Sequence, residues 1–508
     1  MSPDAPITLS GHDATIAAVV RVARGGAKVA LSDGARAQVV AARAVVERLA
    51  QSDEAIYGVN SALGANTGKP IPRDQLAAYQ HRAVRARAVG VGPVFPTDVV
   101  RAMMFARAAG MAAGGSGVSP EVLDALIALL NASVHPVVPS KGSIGVADLA
   151  PLSHLALPLF GEGSAEYRGE ILAGSVALER AGLRPVALGA KDGIALISAN
   201  AATVGHAALV VHDASRMLDA LSIAAALSFE GFRANLSPLD PRVQAARPAP
   251  GQIEMAAQFT LLLAGSSLRQ TGAARRVQDP LSLRCVTQVH GAALAALRTA
   301  RDYVELELNS AADSPLVLAD TGEMLSTGNF HIPGLALAFE ALGLAFAHAA
   351  LVCVQRCQKL FNPALSGLPL QLTTRGPEHS GFATVQKTLT ALYNEIRHDA
   401  SPATLDSLPV SEAVEDHAPM APYVVAKTAA IVAKLRYLAA IELLAAAQAV
   451  DLRELPQAAL GKGTQAAYSA VRARVPRLDE DRPLGPDIEI IVALLAAGGI
   501  ATTDTLSK

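Results

Sequence analysis

Long, alanine-rich apolar segments are the feature that most restricts how this chain can fold. From residue 201 onward, helical periodicity dominates in six segments, 201–228, 250–265, 286–308, 333–360, 382–398 and 418–453. The stretch YVVAKTAAIVAKLRYLAAIELLAAAQAVDLREL, which covers most of the last segment and ends just after it, has more than 30 residues with few helix breakers. Helices of this length need partners that bury their apolar surface from end to end. The sequence therefore predicts a mainly α protein with a central bundle of long helices.

The composition agrees with such a bundle. Hydrophobic residues make up 51% of the 508 residues, aromatic residues make up only 4%, and tryptophan is absent. Alanine, leucine and valine must therefore fill the core, which is large enough at this chain length. Alanine also favours helix, because it loses no side-chain entropy there.

The first 200 residues are organised differently from the rest. Residues 51–72 form a polar, glycine-rich loop, and residues 163–192 are expected to be irregular. Helical periodicity is limited to shorter segments, at 35–50, 75–89, 97–113 and 119–133. We expect a loop-rich N-terminal part, 1–200, that carries active-site loops, and a helical bundle, 201–508. Few linkers interrupt the pattern, so the two parts are expected to form one intertwined structural unit.

Charge and hydropathy argue against nucleic-acid and membrane partners. The formal net charge is −2 and the isoelectric point is near 6.6, so the chain has no general attraction to anionic polymers or lipids. The uncharged stretch 193–211 contains serine, asparagine, threonine and histidine. These residues suit a buried helix better than a membrane span.

Cysteine and histidine usage predicts neither disulfides nor a metal site. The three cysteines are Cys285, Cys353 and Cys357, an odd and sparse set that indicates a reducing cytoplasm. The last two are four residues apart, which permits a metal pair but fits two buried small apolar residues better. The N-terminus lacks the pattern of a signal peptide, so we expect a cytoplasmic protein without a metal.

Four residues are candidates for chemistry, each with a simpler alternative. Tyr57 in IYGVN is either a hydrogen-bonding surface residue or a general base whose pKa is lowered by a cation. Arg284 is either a salt-bridge partner or a residue that binds a substrate carboxylate with two parallel hydrogen bonds. Glu415 in EDHAPM belongs to a solvated cap or is a site acid. Lys387 either extends into solvent or points into a site as a cation.

A series of ordered motifs covers nearly the whole chain. They are YGVN (57–60), NASVHPVVPSKGSIG (131–145), DLAPLSHLAL (148–157), GEGSAEYRGE (161–170), LGAKDGIALI (188–197), RVQDPLSLRC (276–285), ELNSAADSPL (307–316), STGNFH (326–331), NPALSGLP (362–369), EDHAPM (415–420) and LDEDRPLGPDIE (478–489). Together they resemble the histidine/phenylalanine ammonia-lyase superfamily. The resemblance implies a mostly helical homotetramer whose active sites collect residues from three subunits.

The resemblance also implies roles for individual residues. Tyr57 matches the base that removes a β-proton from the substrate. Arg284 matches the residue that binds the α-carboxylate. Asn329 and Phe330 match the wall of the site, and Glu415 matches the acidic residue near the amine.

One departure from the family concerns its prosthetic group. Family members carry Ala-Ser-Gly, which cyclises and dehydrates to an electrophilic methylidene-imidazolone. That reaction needs the serine hydroxyl as leaving group and the glycine nitrogen as nucleophile. In this chain only Val146 and Ala147 stand between Gly145 and Asp148, and no Ala-Ser-Gly occurs anywhere. We expect these four residues to form an active-site loop without methylidene-imidazolone and without any other cofactor.

Other positions of the expected substrate site depart from the family as well. Ser198 stands at the family asparagine that serves the prosthetic group, and Leu281 stands at the second site tyrosine. Arg87 replaces the histidine that faces the imidazole of histidine, and Lys387 stands where the lyases are usually apolar. The residues that build and use the electrophile in the family have all changed, whereas Tyr57 and Arg284 are retained.

These departures lead to a prediction about the reaction. A quaternary ammonium group is permanently cationic and can leave without an electrophile. The resemblance therefore predicts an ergothionase-like carbon–nitrogen lyase that eliminates trimethylamine from ergothioneine and yields thiolurocanate. In this hypothesis Tyr57 is the base, Arg284 holds the carboxylate, and Lys387 faces the thioimidazole. Glu415 orients Lys387 or faces the trimethylammonium group.

Two alternatives remain open at this stage. One is an ammonia-lyase that releases ammonia from histidine or another aromatic amino acid. The other is a non-catalytic paralogue that binds a ligand. In each case the expected partner is a small amino acid or betaine.

Overall fold

Helices form most of the structure, as predicted. The computed structural model describes residues 5–52, 56–62, 69–405 and 407–500, so 53–55 and 63–68 of the glycine-rich loop lie outside the described residues. The helices are α1 (Ile16–Ala23), α2 (Asp33–Ala50), α3 (Leu76–Arg85), α4 (Thr97–Ala112), α5 (Pro120–Asn131), α6 (Leu149–Ala156), α7 (Gly174–Arg180), α8 (Asp192–Ile197), α9 (Ala201–Phe232), α10 (Pro241–Ala245), α11 (Gln252–Leu262), α12 (Leu281–Arg284), α13 (Val286–Leu308), α14 (Pro333–Phe361), α15 (Pro363–Ser366), α16 (Val385–Asp399), α17 (Ala421–Leu452), α18 (Lys462–Arg472) and α19 (Leu484–Ala496).

The strands are short and form small sheets. Those among the described residues are β1 (Ile7–Leu9), β2 (Val29–Leu31), β3 (Val91–Val94), β4 (Val134–Pro136), β5 (Pro139–Lys141), β6 (Ser164–Tyr167), β7 (Glu170–Ala173), β8 (Leu316–Leu318) and β9 (Glu323–Leu325). Strands β1 and β2 pair in parallel. The pairs β3–β5, β4–β6, β6–β7 and β8–β9 are antiparallel.

The prediction that residues 163–192 are irregular is wrong. This stretch contains the hairpin β6–β7 and helix α7. Arg168 and Gly169 join the two strands, with φ values of 51° and 83°. A two-residue loop with both φ angles positive matches the right-handed twist of a hairpin. The Arg-Gly dipeptide was the available signal for this turn.

The chain forms two compact units, each made of three segments. The first unit contains Met1–His212, Ala300–Ala338 and Pro402–Ala426, and the second contains Asp213–Thr299, Phe339–Ser401 and Lys427–Lys508. The predicted division into 1–200 and 201–508 stays a prediction.

Small residues allow close helix packing in both units. In the first unit, a Cβ atom at Gly205 of α9 would lie 2.5 Å from the carbonyl carbon of Ala102 on α4. In the second, a Cβ atom at Gly231 of α9 would lie 2.6 Å from the Cβ of Ala449 on α17. Real Cβ atoms do not approach so closely, so these crossings need glycine. The alanine-rich composition is therefore used for backbone proximity as well as for helix formation.

Among the residues that the structure describes, two helical stretches are long and apolar enough to cross a membrane by length and composition alone, Asp192–Phe232 and Pro333–Phe361. In the first, 94% of the most apolar window is buried inside the protein, as in the core helix of a folded domain. In the second, 56% of that window is buried. Burial by the protein's own side chains is the simpler reason for the apolar composition of the first stretch.

Candidate active site

The loop from Ser143 to Asp148 is built around a buried carboxylate. Asp148 is fully buried, and its two oxygens accept hydrogen bonds from the Thr203 N–H at 2.7 Å and the Thr203 hydroxyl at 3.0 Å. The Ser143 hydroxyl donates to Asp148 at 3.0 Å and accepts from the Gly145 N–H at 3.2 Å. The Asp148 N–H donates to the Ala199 carbonyl at 2.7 Å. The loop is therefore fixed to the start of α9 through one side chain.

Burial changes the protonation of this carboxyl group. Desolvation raises the pKa of Asp148 from 3.8 to about 6, although the hydrogen bonds from Thr203 and Ser143 act in the opposite direction. The folded protein thus binds a proton on Asp148 at a higher pH than the unfolded chain does. By linkage, this group makes the free energy of unfolding fall as pH rises from about 4 to about 6, and its effect is constant above that range.

An Asp148→Asn variant is expected to remove this pH dependence. A pKa difference of about two units corresponds to roughly 3 kcal/mol. The stability of the variant relative to wild type should therefore increase by up to that amount between pH 4 and 6, and then stay level. The altered hydrogen bonds also change the free energy of unfolding of the variant, by an amount that is the same at every pH. Urea unfolding of both proteins from pH 4 to 8 measures the difference, and a difference independent of pH would contradict the assignment.

Two other segments of the first unit contact this loop. Val146 forms a β-bridge with His331, and the Ala147 N–H donates to the Phe330 carbonyl at 3.4 Å. The Met420 N–H donates to the Ile144 carbonyl at 3.1 Å. The loop therefore touches both the STGNFH segment and the EDHAPM segment.

Asn200 adds a side-chain contact from the segment before α9. Its amide Nδ2 donates to the Gly145 carbonyl at 3.3 Å, while its buried Oδ1 has no hydrogen-bond partner among the described residues. Asn200 thus helps to hold the loop that contains Val146 and Ala147.

Tyr57 lies in a short turn beside the segment 313–315. The residue is half-buried and forms a β-bridge with Ser61. A Cβ atom at Gly58, where φ is 72°, would lie 3.3 Å from Pro315. The Ser198 hydroxyl donates to the Ser314 carbonyl at 3.3 Å. The turn that contains Tyr57 and the side chain of Ser198 therefore both contact the segment 313–315. Ser198 directly follows α8.

Asn329, Phe330 and Glu415 border this region. Asn329 is exposed and donates from Nδ2 to the Ala311 carbonyl at 3.3 Å, and Phe330 is half-buried. Glu415 is half-buried and accepts a hydrogen bond from the Ser411 hydroxyl at 3.1 Å.

The remaining predicted site residues are Arg87 and three residues of the second unit. Arg87 donates from Nη1 to the Ala83 carbonyl at 3.0 Å, so its guanidinium folds back on α3. Leu281, Arg284 and Lys387 belong to the second unit. Leu281 is 60% exposed, Arg284 is half-buried at the end of α12, and Lys387 is exposed on α16. The catalytic role of Lys387 stays a prediction.

A pair of histidines was not singled out from the sequence. His331 Nε2 and His417 Nδ1 are 2.7 Å apart and share a hydrogen bond. Burial and the neighbouring His417 lower the pKa of His331. Both residues stand in quoted motifs, STGNFH and EDHAPM, but nothing in either motif shows that the two segments meet. Within residues 5–52, 56–62, 69–405 and 407–500, no group of three or more histidine, cysteine or acidic side chains is placed to hold a metal ion.

Similarity to known proteins extends over almost the whole length of this chain. The aromatic amino acid lyase family matches residues 14–473. The histidine ammonia-lyase of Gloeobacter violaceus is 41% identical over 495 residues, covering 97% of this chain and 96% of that protein. The histidine ammonia-lyase of Deinococcus radiodurans is 42% identical over 491 residues, covering 96% and 93%.

Solved structures share the fold. The ergothionase of Treponema denticola, in complex with desmethyl-ergothioneine sulfonic acid, superposes with a TM-score of 0.94 at 32% identity, covering 98% of this chain and 99% of that one. The histidine ammonia-lyase of Trypanosoma cruzi gives a TM-score of 0.91 at 31% identity, covering 99% and 95%. The predicted ammonia-lyase-like fold is confirmed.

These relatives correct the predicted reaction. The ergothionase prediction is wrong, because the curated relatives at about 41% identity are histidine ammonia-lyases, whereas ergothionase is a structural neighbour at 32%. The prediction that no prosthetic group is used is contradicted as well, because histidine ammonia-lyases use methylidene-imidazolone formed from Ala-Ser-Gly. Similarity along the whole chain therefore outweighs the two altered residues of one loop.

The residues of this loop lack the groups from which methylidene-imidazolone forms, so they do not fit it. Val146 and Ala147 supply neither a serine hydroxyl nor a glycine nitrogen, and Ala147 is buried with a φ of 50°. Ser143 is the serine nearest to Val146 in the sequence, and its hydroxyl takes part in hydrogen bonds with Asp148 and Gly145. Intact mass addresses the point directly, because formation of the group removes two water molecules from the chain.

Proposed function

The chain belongs to the aromatic amino acid lyase family and is a carbon–nitrogen lyase, and we propose that it releases ammonia from histidine or another aromatic amino acid. The observation that carries this proposal is the 41% identity to a histidine ammonia-lyase over 97% of the chain. The reaction breaks the Cβ–H bond and the Cα–N bond and forms a double bond between the two carbons. Histidine is the first substrate to test.

Proton removal is assigned to Tyr57. The β-proton of an amino acid is weakly acidic, so a positioned base is needed. The half-buried position of Tyr57 supports the assignment, as does its turn, which packs on the segment that Ser198 also contacts. Glu415, held by Ser411, is proposed to face the substrate amine. Asn329 and Phe330 are proposed to form the wall of the site.

Carboxylate binding is assigned to Arg284. A guanidinium group presents two parallel N–H donors that match a carboxylate. Arg284 is half-buried at the C-terminal end of α12, which restricts its possible directions. Arg87, Leu281 and Ser198 are proposed to contact the substrate ring or its surroundings.

We propose a homotetramer with shared active sites in the cytoplasm. Family enzymes act on small amino acids and are typically homotetramers. In such an assembly, Tyr57 and Arg284 of one active site need not come from the same chain. The free state of Cys285, Cys353 and Cys357 supports a reducing compartment. Light scattering after gel filtration measures the oligomeric state.

A substrate panel tests the proposed activity. The purified full-length protein is incubated separately with L-histidine, L-phenylalanine, L-tyrosine and ergothioneine. The formation of the unsaturated acid is followed by absorbance, and the released amine is identified. Ammonia from an amino acid, with histidine fastest, is the expected result. Trimethylamine from ergothioneine without ammonia from any amino acid would overturn the proposal. Ligand binding without product would indicate a non-catalytic paralogue.

A further inference from the structure

The short helix that carries Arg284 is held by a side chain from another helix. In α12, the Cys285 N–H donates to the Leu281 carbonyl at 2.9 Å, and the next helical bond runs from Val289 to the Cys285 carbonyl. The Ser282 carbonyl instead accepts a hydrogen bond from Nη1 of Arg356 on α14, at 3.2 Å. A guanidinium group therefore supplies a donor where the helix changes direction between α12 and α13.

The direction of Arg356 is itself fixed. Its Nε and Nη2 atoms lie 2.5 Å and 2.8 Å from the two carboxylate oxygens of Glu442 on α17, and both side chains are fully buried. The Ser228 hydroxyl on α9 donates to the same carboxylate at 2.8 Å. Because Nε and Nη2 of the planar guanidinium bind Glu442, Nη1 is the nitrogen that reaches the Ser282 carbonyl. Three long helices thus determine where that hydrogen bond points.

The energetics of the pair suggest a purpose other than stability. Removing two charges from water is costly, and apolar side chains of similar volume often replace a buried ion pair without loss of stability. An apolar pair could fill the same space between α14 and α17. It could not donate a hydrogen bond to the Ser282 carbonyl. The contact that depends on the arginine is therefore the one that leads to Arg284, two residues further along the chain.

We propose that Arg356 and Glu442 are positioning residues that fix α12 and thereby aim the Arg284 guanidinium at the substrate carboxylate. This inference rests on the proposed function for the role of Arg284. A misaligned Arg284 guanidinium keeps its positive charge but loses one of its two charge-assisted hydrogen bonds to the substrate carboxylate. The expected result is a KM raised about 10- to 100-fold with kcat changed less than about threefold, because the carboxylate is bound equally in the ground and transition states.

The test uses the full-length protein with a paired apolar replacement, Arg356→Met with Glu442→Leu. Pairing avoids leaving one buried charge alone, which would destabilise the fold. A matched control is Arg472→Met with Asp451→Leu, because this pair is also largely buried, is joined by an N–O contact of 2.6 Å, and has no hydrogen bond to α12. If the first pair does not fold, Arg356→Lys provides a second variant that keeps the positive charge but not the fork.

Two readouts separate positioning from general stability. Hydrogen–deuterium exchange of peptides that cover 281–290 should become at least about fivefold faster in the Arg356/Glu442 variant and should be unchanged in the control. This readout needs no catalytic activity. Exchange at wild-type rates would overturn the inference, even if the enzyme kept its activity. The KM for L-histidine should rise in the same variant and not in the control.

An Arg284→Lys variant separates a failure of the positioning role of Arg356 from a failure of the carboxylate role of Arg284. A raised KM in Arg284→Lys together with an unchanged KM in the Arg356/Glu442 variant would overturn the positioning inference and leave the proposed function intact. An unchanged KM in Arg284→Lys would overturn the carboxylate role in the proposed function. Faster exchange over 281–290 would then show that α12 is held by Arg356 but does not serve substrate binding, which also overturns the inference.

Discussion

A Tyr57→Phe variant is expected to lose about 10²- to 10⁴-fold in kcat, the range that a positioned general base contributes. The substitution removes only the phenolic oxygen, the atom that would accept the β-proton. KM should change little, because the substrate carboxylate is assigned to Arg284. Steady-state kinetics with L-histidine, or with the best amino acid of the substrate panel, measures the loss. A variant with a near-normal rate would show that the β-proton is removed by another group.

The turn that holds Tyr57 should survive this substitution. The Ile56 carbonyl accepts hydrogen bonds from the N–H groups of Val59, Asn60 and Ser61, and the Asn60 side chain accepts from the Ile56 N–H at 2.6 Å. These bonds do not involve the Tyr57 hydroxyl. A matched control is Tyr167→Phe, since Tyr167 is also a half-buried tyrosine of the first unit and stands in β6. Equal losses in both variants would mean that the effect is not specific to the base.

The long helices could be predicted closely because their signal is local. Helix α13 has the predicted bounds, 286–308, and α14 ends one residue beyond its predicted end at 360. Helix α17 begins at Ala421 rather than 418, after Pro419. Alanine-rich composition and apolar periodicity are properties of neighbouring residues, so they can be seen in a single sequence. The hairpin β6–β7 was missed because its four-residue strands are too short to establish a period.

The candidate site could be predicted only in part, because its contacts join distant parts of the chain. The motifs that contain Tyr57, Phe330 and Glu415 were recognisable from the family resemblance. The contacts among them were not, since the bond from Ala147 to Phe330 and the bond between His331 and His417 have no local pattern. The Arg356–Glu442 pair was missed for the same reason. Each residue, taken alone, resembles an ordinary charged position on a helix.

The segment that supports the Tyr57 turn is tied to the core by a buried ion pair. Arg107 on α4 and Asp313 are 1% and 0% exposed, and Nη2 lies 2.6 Å from Oδ1. Arg107 also donates to the Ala195 carbonyl. The carbonyl of the next residue, Ser314, accepts the hydrogen bond from Ser198. Asp313 thus anchors the segment on which both predicted site residues rest.

An Arg107→Met variant is expected to lose about 3–5 kcal/mol of unfolding free energy, because it leaves the Asp313 charge buried without its closest partner. Adding Asp313→Leu should restore most of the loss, since the double variant buries no uncompensated carboxylate. Arg36→Met is the matched surface control: Arg36 and Asp124 are 44% and 47% exposed, and an exposed pair contributes at most about 1 kcal/mol. Urea unfolding of the three variants gives the comparison. Equal losses for Arg107→Met and for the double variant would mean that the cost comes from lost packing rather than from the unpaired charge.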